Sequence, residues 1–318
     1  MTLIAAGQLS STSSLTLNGL KASQLIIKAA NLGAKIIFLP EASDYIASSA
    51  AHSKSIVQPF DKSPFVIKLQ ETLKKLHGEG KFIDVVVGLH EPAIDDKLQR
   101  TQNTLVYLSS TGELLYRYQK LHLFDVDIPN GPIMKESLSV QPGKKLLDPF
   151  DTPAGKLGLG ICYDLRFPEV GLALRSLGSQ ILTFPSAWTV KTGPQFQILG
   201  MALAVWSQCY LILPGQSGKH LTNLKCNATD ATQIDHEIEN GISRESFGHT
   251  CIIDPLGTII AQVSNIEVGD SDGLLGPGEG ICIADIDLSK VGAVRERMPL
   301  WEQRREDVFG SLLPSESE

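Results

Sequence analysis

The stretch GLGICYDLRFPE, Gly158 to Glu169, sets a glycine-rich apolar run against charged and aromatic residues, with one cysteine at the junction. Read outward, LGLGICYD (157–164) has the apolar character of a buried strand. PEVGLALRSLG (168–178) has helical spacing, with Pro168 suited to a first turn and Gly178 to an exit. A strand that runs into a turn and then a helix places Cys162 at a strand end. In layered α/β folds that is where ligands meet the scaffold.

The same grammar recurs along the chain. TLIAAGQLS (2–10), AKIIFLP (34–40) and FIDVVVGLHE (82–91) read as buried strands, and NTLVYLSSTGELLYRYQK (103–120) as a hairpin turning at STG. Helical spacing covers 20–32, 64–76 and roughly 195–208. SQILTFPSAW and CYLILPGQ are further strands, and GHTCIIDPLGTIIAQV followed by GICIADIDL closes the chain in β structure. Strands alternating with helices, with hairpins between, predict an α/β layered fold with a mixed sheet. No linker or repeat divides the 318 residues, so 1–318 reads as one domain. Within it, 218–241 is expected to be a surface insertion, 274–280 a glycine-rich loop and 310–318 a disordered tail.

Composition narrows the function. The net charge of -7 with 42% hydrophobic residues argues against a basic nucleic-acid face and gives no support for binding anionic membranes. Five cysteines (Cys162, Cys209, Cys226, Cys251, Cys282), an odd number without CxxC spacing, argue against a disulfide framework or zinc site and for a reducing compartment. No run reaches the ~18 apolar residues needed to span a bilayer. MTLIAAGQLSS lacks a signal-peptide pattern. The expectation is a soluble, intracellular, cytoplasmic protein, with a minor mitochondrial pool left open.

Three strand exits carry reactive groups: Glu41 after IIFLP, Lys120 after LYRYQ and Cys162 after LGLGI. A carboxylate, an ammonium and a thiol permit acyl transfer. Glu41, with its pKa raised by burial, would take the thiol proton. Lys120 would lower the thiol pKa and, with the Tyr163 N–H, stabilise an oxyanion. Each residue also has a plainer reading, as a buried small hydrophobe, a solvated turn acid and a surface lysine. Composition and periodicity do not join the three.

Four blocks join them. FLPEASDY, YQKLHLFDVDIPNG, GICYDLRFPE and FPSAW resemble, in order and spacing, the signature blocks of the nitrilase superfamily of carbon–nitrogen hydrolases. KLHLFDVDIPNGP, KES and QPGK resemble its Nit branch, and within it the fungal deaminated glutathione amidases. The resemblance implies a four-layer αββα sandwich, assembled as a homodimer or larger. It implies a Glu41–Lys120–Cys162 triad, with Glu136 as a second glutamate beside the lysine and the leaving group, and no metal or organic cofactor. His122 and His249 are then structural hydrogen-bonders.

The implied activity is hydrolysis of the amide of deaminated glutathione to 2-oxoglutarate and cysteinylglycine, through a thioester on Cys162. An ω-amidase acting on 2-oxoglutaramate or a related small amide is the alternative, with a low-activity interaction scaffold a third reading and nitrile hydrolysis a fourth. An anionic substrate calls for fixed cations, so Arg166, Arg244 and Tyr45 join Tyr163 as candidate substrate-binding residues. One segment departs from the family pattern. Where relatives carry AHWE and RARA, this chain reads TGPQFQILGMALAVWSQCY, with Gln197, Met201, Leu203 and Trp206 in place of acids and arginines. A whole ion network replaced by apolar groups is tolerated, so a helix is still expected over 194–206, with reduced turnover or altered substrate choice as consequences to test.

Overall fold

The structure is a computed structural model and describes residues 1–127, 133–222, 244–263 and 274–310. The chain opens with β1 (Thr2–Gln8), α1 (Leu15–Asn31), β2 (Ile36–Phe38), α2 (Ala50–Ile56), α3 (Pro64–Gly78), β3 (Asp84–Pro92), β4 (Thr101–Leu108) and β5 (Leu114–Gln119). A small hairpin, β6 (Asp125–Asp127) and β7 (Ile133–Lys135), leads to β8 (Phe150–Thr152), β9 (Gly155–Leu159), α4 (Pro168–Ser176), β10 (Ile181–Thr183), α5 (Gly193–Ser207) and β11 (Tyr210–Leu213). Then come β12 (Ser217–Lys219), β13 (Glu245–Phe247), β14 (Cys251–Ile253), β15 (Ile259–Gln262), β16 (Gly280–Ile286) and α6 (Leu288–Arg297).

Among the described residues the large strands form two six-stranded sheets, ordered β16-β1-β2-β3-β4-β5 and β15-β14-β11-β10-β9-β8. Read from opposite ends, the two follow one pattern. A central parallel trio (β1-β2-β3 in the first sheet, β9-β10-β11 in the second) is flanked by one antiparallel strand on one side and two on the other. The sequence shows no repeat, yet the chain traces the same βαβαβ path twice.

Strand alternation sorts the core into three layers, giving the four-layer αββα sandwich. In β2 and β3, Ile37, Val85 and Val87 face α1 and α3, meeting Leu25, Ile26, Leu69 and Leu73. Their neighbours Ile36, Phe38 and Val86 point the other way, onto Leu157, Ile181 and Ile212 of the second sheet. Leu182, Leu211 and Leu213 then face Leu174, Phe196 and Leu203 of α4 and α5. Strands covered on both faces read as unbroken apolar runs rather than alternating ones, which is why IIF, VVV and LIL carry no polar phase.

Local corrections have local causes. Helix α1 starts at Leu15 rather than Leu20, because the Ser14 hydroxyl caps the Leu17 N–H (3.3 Å), and Gly19 lets the helix approach Phe65 of α3 closely. The apolar run 157–164 is strand only as far as Leu159. Cys162, at φ 47°, turns the chain into a short 3-10 segment. Helix α5 forms as expected despite its unusual sequence. Leu203 is buried against Gly171 of α4, while Trp206 stays half exposed. Of the expected insertion 218–241, residues 218–219 belong to β12 and 223–243 lie outside the described residues, as do Cys226 and the tail after Gly310. Residues 274–280 form a loop as far as Gly280, where β16 begins. No helix among the described residues is long and apolar enough to cross a membrane.

The C-terminal ends of the two parallel trios meet. Leu9, after β1, bridges to Gln216, after β11, and the Ser217 N–H donates to the Leu9 carbonyl (2.8 Å). One glycine sets how closely the first trio approaches this junction. A Cβ on Gly88 of β3 would lie 2.5 Å from the Glu41 Cα and 2.7 Å from the Pro40 carbonyl oxygen, backbone atoms that cannot swing aside. Gly88→Ala is expected to cost about 1–3 kcal/mol of stability and to depress activity by moving Glu41. Gly78→Ala, where the added Cβ meets nothing within 4 Å, should do neither; thermal melts and initial rates check both.

Candidate active site

Four elements deliver side chains to the junction. Glu41 follows β2, Lys120 follows β5, Glu136 follows β7, and Cys162 begins the turn after β9. The Lys120 Nζ lies 2.9 Å from Glu41 Oε1 and 3.1 and 3.0 Å from the two Glu136 oxygens. Glu41 and Lys120 are buried, at 5% and 2% exposure. The Cys162 thiol lies close enough to the Glu41 carboxylate and the Ala187 N–H for both to influence its titration. Carboxylate, ammonium and thiol therefore share one cluster.

Each carboxylate is oriented by donors that neither react nor carry charge. Asn103 Nδ2, on β4, donates to Glu41 Oε1 (2.7 Å) and reaches Glu136 Oε1 (3.4 Å). The Ala187 N–H, after β10, donates to Glu41 Oε2 (2.9 Å). The Phe124 N–H donates to Glu136 Oε2 (2.7 Å). Gln216 Nε2 donates to the carbonyls of Glu41 and Ala42 (3.0 and 3.2 Å), fixing the backbone beneath the acid. Asn103, Ala187 and Gln216 were not singled out from sequence. The one available signal was polarity inside apolar runs, as in NTLVYL, and it says nothing of partners dozens of residues away. Cys162 itself is held in a left-handed conformation, a strain that clusters at functional sites. The Tyr163 N–H has no acceptor among the described residues, so it is available to an incoming oxyanion.

The electrostatics differ from the expectation at one point. Burial pushes the Glu41 carboxyl up, as expected. The Lys120 ammonium, with hydrogen bonds from Lys120, Cys162 and Asn103, overcomes it and holds the group below its ordinary 4.5. Burial alone would lower Lys120, but Glu136 and Glu41 together raise it well above 10.5. Burial and the Glu41 charge push the Cys162 thiol well above 9.0; Lys120 opposes them without winning. The cluster at rest is thus an ammonium, carboxylate and neutral thiol. Proton transfer from sulfur to Glu41 is uphill until a carbonyl arrives to accept the electron pair.

The substrate-binding candidates are scattered. Arg166, on the same turn as Cys162, lies 4.4 Å over the Trp188 ring and donates to Gln195 Oε1 (2.7 Å). The half-buried Tyr163 ring meets Phe124 and Phe167 edge-on, at 5.1 and 5.4 Å. Tyr45 is 1% exposed. Its hydroxyl pairs with the Ser53 hydroxyl (2.8 Å) and its ring stacks on His90 (4.4 Å). Arg244 is exposed just before β13, its carbonyl accepting from the His220 N–H (2.9 Å).

The charge cluster has a signed consequence for stability. Glu41 titrates lower folded than unfolded, so its contribution is full above 4.5 and is lost as pH falls through the depressed value. Lys120 titrates higher folded than unfolded, so its contribution is full below 10.5 and is lost as pH rises through the raised value. Lys120→Met strands the buried Glu41 carboxylate and removes the partner of the partly buried Glu136, and is expected to cost about 3–5 kcal/mol at pH 7. It should also make stability fall as pH rises above 4.5, where the Glu41 contribution in the wild type is flat, because the stranded Glu41 then prefers to be protonated. Chemical denaturation at both pH values checks the sign.

Comparisons with known proteins show the family. The Carbon-nitrogen hydrolase family model matches residues 3–296. The chain is 40% identical over 314 residues to "Probable hydrolase nit2" of Schizosaccharomyces pombe, covering 98% of this chain and 100% of that one. It is 37% identical to the "Deaminated glutathione amidase" of Rattus norvegicus, covering 98% and 85%. It is 31% identical to "Omega-amidase NIT3" of Saccharomyces cerevisiae, covering 87% and 83%. Among solved structures, the Caenorhabditis elegans NitFhit protein superposes with a TM-score of 0.81 at 32% identity, covering 100% of this chain and 68% of that one. Saccharomyces cerevisiae Nit3 superposes at 0.70 and 28%, covering 96% of each. The chain belongs to the carbon–nitrogen hydrolase family, enzymes of non-peptide carbon–nitrogen bonds.

Proposed function

We propose that the protein is an amidase that cleaves the amide of deaminated glutathione to 2-oxoglutarate and cysteinylglycine. The observation that carries the chemistry is the Glu41 carboxylate, bonded to the Lys120 ammonium (2.9 Å) and close enough to the Cys162 thiol for each to shift the other's titration. Glu41 takes the thiol proton as sulfur attacks the amide carbon. The carbonyl π electrons move to oxygen, where Lys120 and the Tyr163 N–H receive the charge. As the oxyanion collapses, the carbon–nitrogen bond breaks and the amine leaves with the proton from Glu41. Water, deprotonated by the same carboxylate, then attacks the thioester, the carbon–sulfur bond breaks to release the acid, and the proton on Glu41 returns to the Cys162 sulfur. Glu136, bonded to Lys120 through both oxygens, holds that cation in place and lies near the departing amine.

Similarity to the rat amidase over nearly the whole chain supports the substrate. Arg166, on the nucleophile's own turn, offers a forked cation suited to its carboxylates. Tyr163 lines the same turn, Tyr45 is enclosed against His90, and Arg244 precedes β13. The likeness to the yeast omega-amidase favours 2-oxoglutaramate as the second candidate. A homodimer is supported by the outward face of α5, where Ile198, Val205 and Trp206 are 58%, 41% and 51% exposed. Free thiols at Cys162, Cys209 and Cys251 support a cytoplasmic setting.

The test is turnover of both ketoacid amides, followed by release of 2-oxoglutarate. Deaminated glutathione is expected to be the better substrate, and Cys162→Ala to lose at least about 10⁴-fold in kcat. Failure of the wild type on both amides would favour the scaffold reading. Turnover that survives in Cys162→Ala would remove the mechanism.

A further inference from the structure

Lys120 and Cys162 come from different sheets, and no covalent feature fixes their spacing. A buried carboxylate does. Asp164 is fully enclosed, and its two oxygens accept four hydrogen bonds. Oδ1 receives the His122 N–H at 2.9 Å and the His122 ring at 2.8 Å, the imidazole carrying its proton on Nδ1. Oδ2 receives the Tyr118 hydroxyl at 2.8 Å and the Ile161 N–H at 3.0 Å. Tyr118 and His122 flank Lys120 at two residues on either side, and Ile161 immediately precedes Cys162. One side chain thus grips both reacting segments.

The grip also sets the turn. The Asp164 N–H donates to the Ile161 carbonyl (2.9 Å), so residues 161 and 164 close on each other around Cys162. A non-glycine residue at φ 47° needs its surroundings to hold it there. Phe167, whose N–H donates to the Asp164 carbonyl (3.1 Å), stacks flat on His122 at 3.7 Å and seats the imidazole. All four acceptor positions of the carboxylate are filled, as a fully buried charge requires.

We propose that Asp164 is a positioning residue that sets Lys120 against Cys162. It acts through Tyr118, His122 and Ile161 and touches no reacting atom. This rests on the amidase reading of the site. An amide at this position cannot reproduce the grip, because its NH2 would face two donors.

The test compares variants by kcat, KM, melting temperature and the rate at which methyl methanethiosulfonate modifies Cys162 at pH 8 without substrate. Asp164→Asn is expected to lose at least about 100-fold in kcat, the cost of misplacement by about 1 Å, with KM within about threefold. Thiol modification should slow as Lys120 drifts away. His122→Ala should lose about tenfold in kcat, and His122→Asn, whose side-chain NH2 replaces the Nδ1 donor, should recover to within about threefold. Asp254→Asn serves as a control. This buried acid bonds Lys290 and the backbone of a distant turn, so its loss should lower the melting temperature and leave kcat intact.

Retained kcat and thiol reactivity in a folded Asp164→Asn would overturn the proposal. So would a His122→Ala loss that His122→Asn does not restore, a comparison that decides the matter even if Asp164→Asn fails to fold. If the wild type cleaves neither amide yet thiol modification slows in the Asp164 and His122→Ala variants, the positioning role stands and the substrate reading falls.

Discussion

One ammonium lies between two carboxylates at the meeting point of two sheets, and the rest of the site follows from that arrangement. Two buried charges and a third that is partly buried are costly unless each is paired and hydrogen-bonded. Lys120 bonds both acids, and Asn103, Ala187 and Phe124 supply uncharged donors to their remaining lone pairs. The consequence is chemical. Glu41 stays ionised and ready to accept a proton, while burial and the carboxylate Glu41 presents to Cys162 keep the thiol from ionising early. The nucleophile is generated only as its target carbon takes up the electron pair, which shields a reactive thiolate from idle oxidation or alkylation.

The fold makes this arrangement available by repeating a plan. Each half of the chain builds a parallel trio and adds antiparallel strands outside it. The base leaves the middle strand of one trio through FLPE, and the corresponding strand of the other leaves through FPSA. The second exit sends the Ala187 N–H back to the base of the first. The nucleophile leaves the neighbouring strand, β9, and Gln216, after β11, grips the backbone at Glu41. The base is therefore supported by the half that carries the nucleophile, so the site is complete only when both sheets have packed.

Legibility followed the physics of locality. Proline after an apolar run announced the exit at Glu41, and glycines before Cys162 announced close packing, since both signals reside in adjacent residues. Resemblance to family blocks, not spacing, joined Glu41, Lys120 and Cys162. The layered α/β class was visible because buried strands are apolar without phase. The end of β9 was not, because the residue that bends the chain there, Asp164, does so through a side chain returning to Ile161. The ionisation of Glu41 was misjudged for a related reason. Its burial was legible, but the ammonium 2.9 Å away arrives from 79 residues downstream. Asn103 and Gln216 gave only the hint of a polar residue in an apolar run.

The central claim is that Cys162 rests as a neutral thiol against an ionised Glu41. The ultraviolet thiolate band of the wild type, taken as a difference from Cys162→Ser and followed across pH 5 to 10, measures this directly. The account predicts a flat difference through neutrality, with absorbance appearing only above pH 9. A thiolate step centred below pH 7 would contradict it and make the resting site a thiolate facing a protonated glutamic acid.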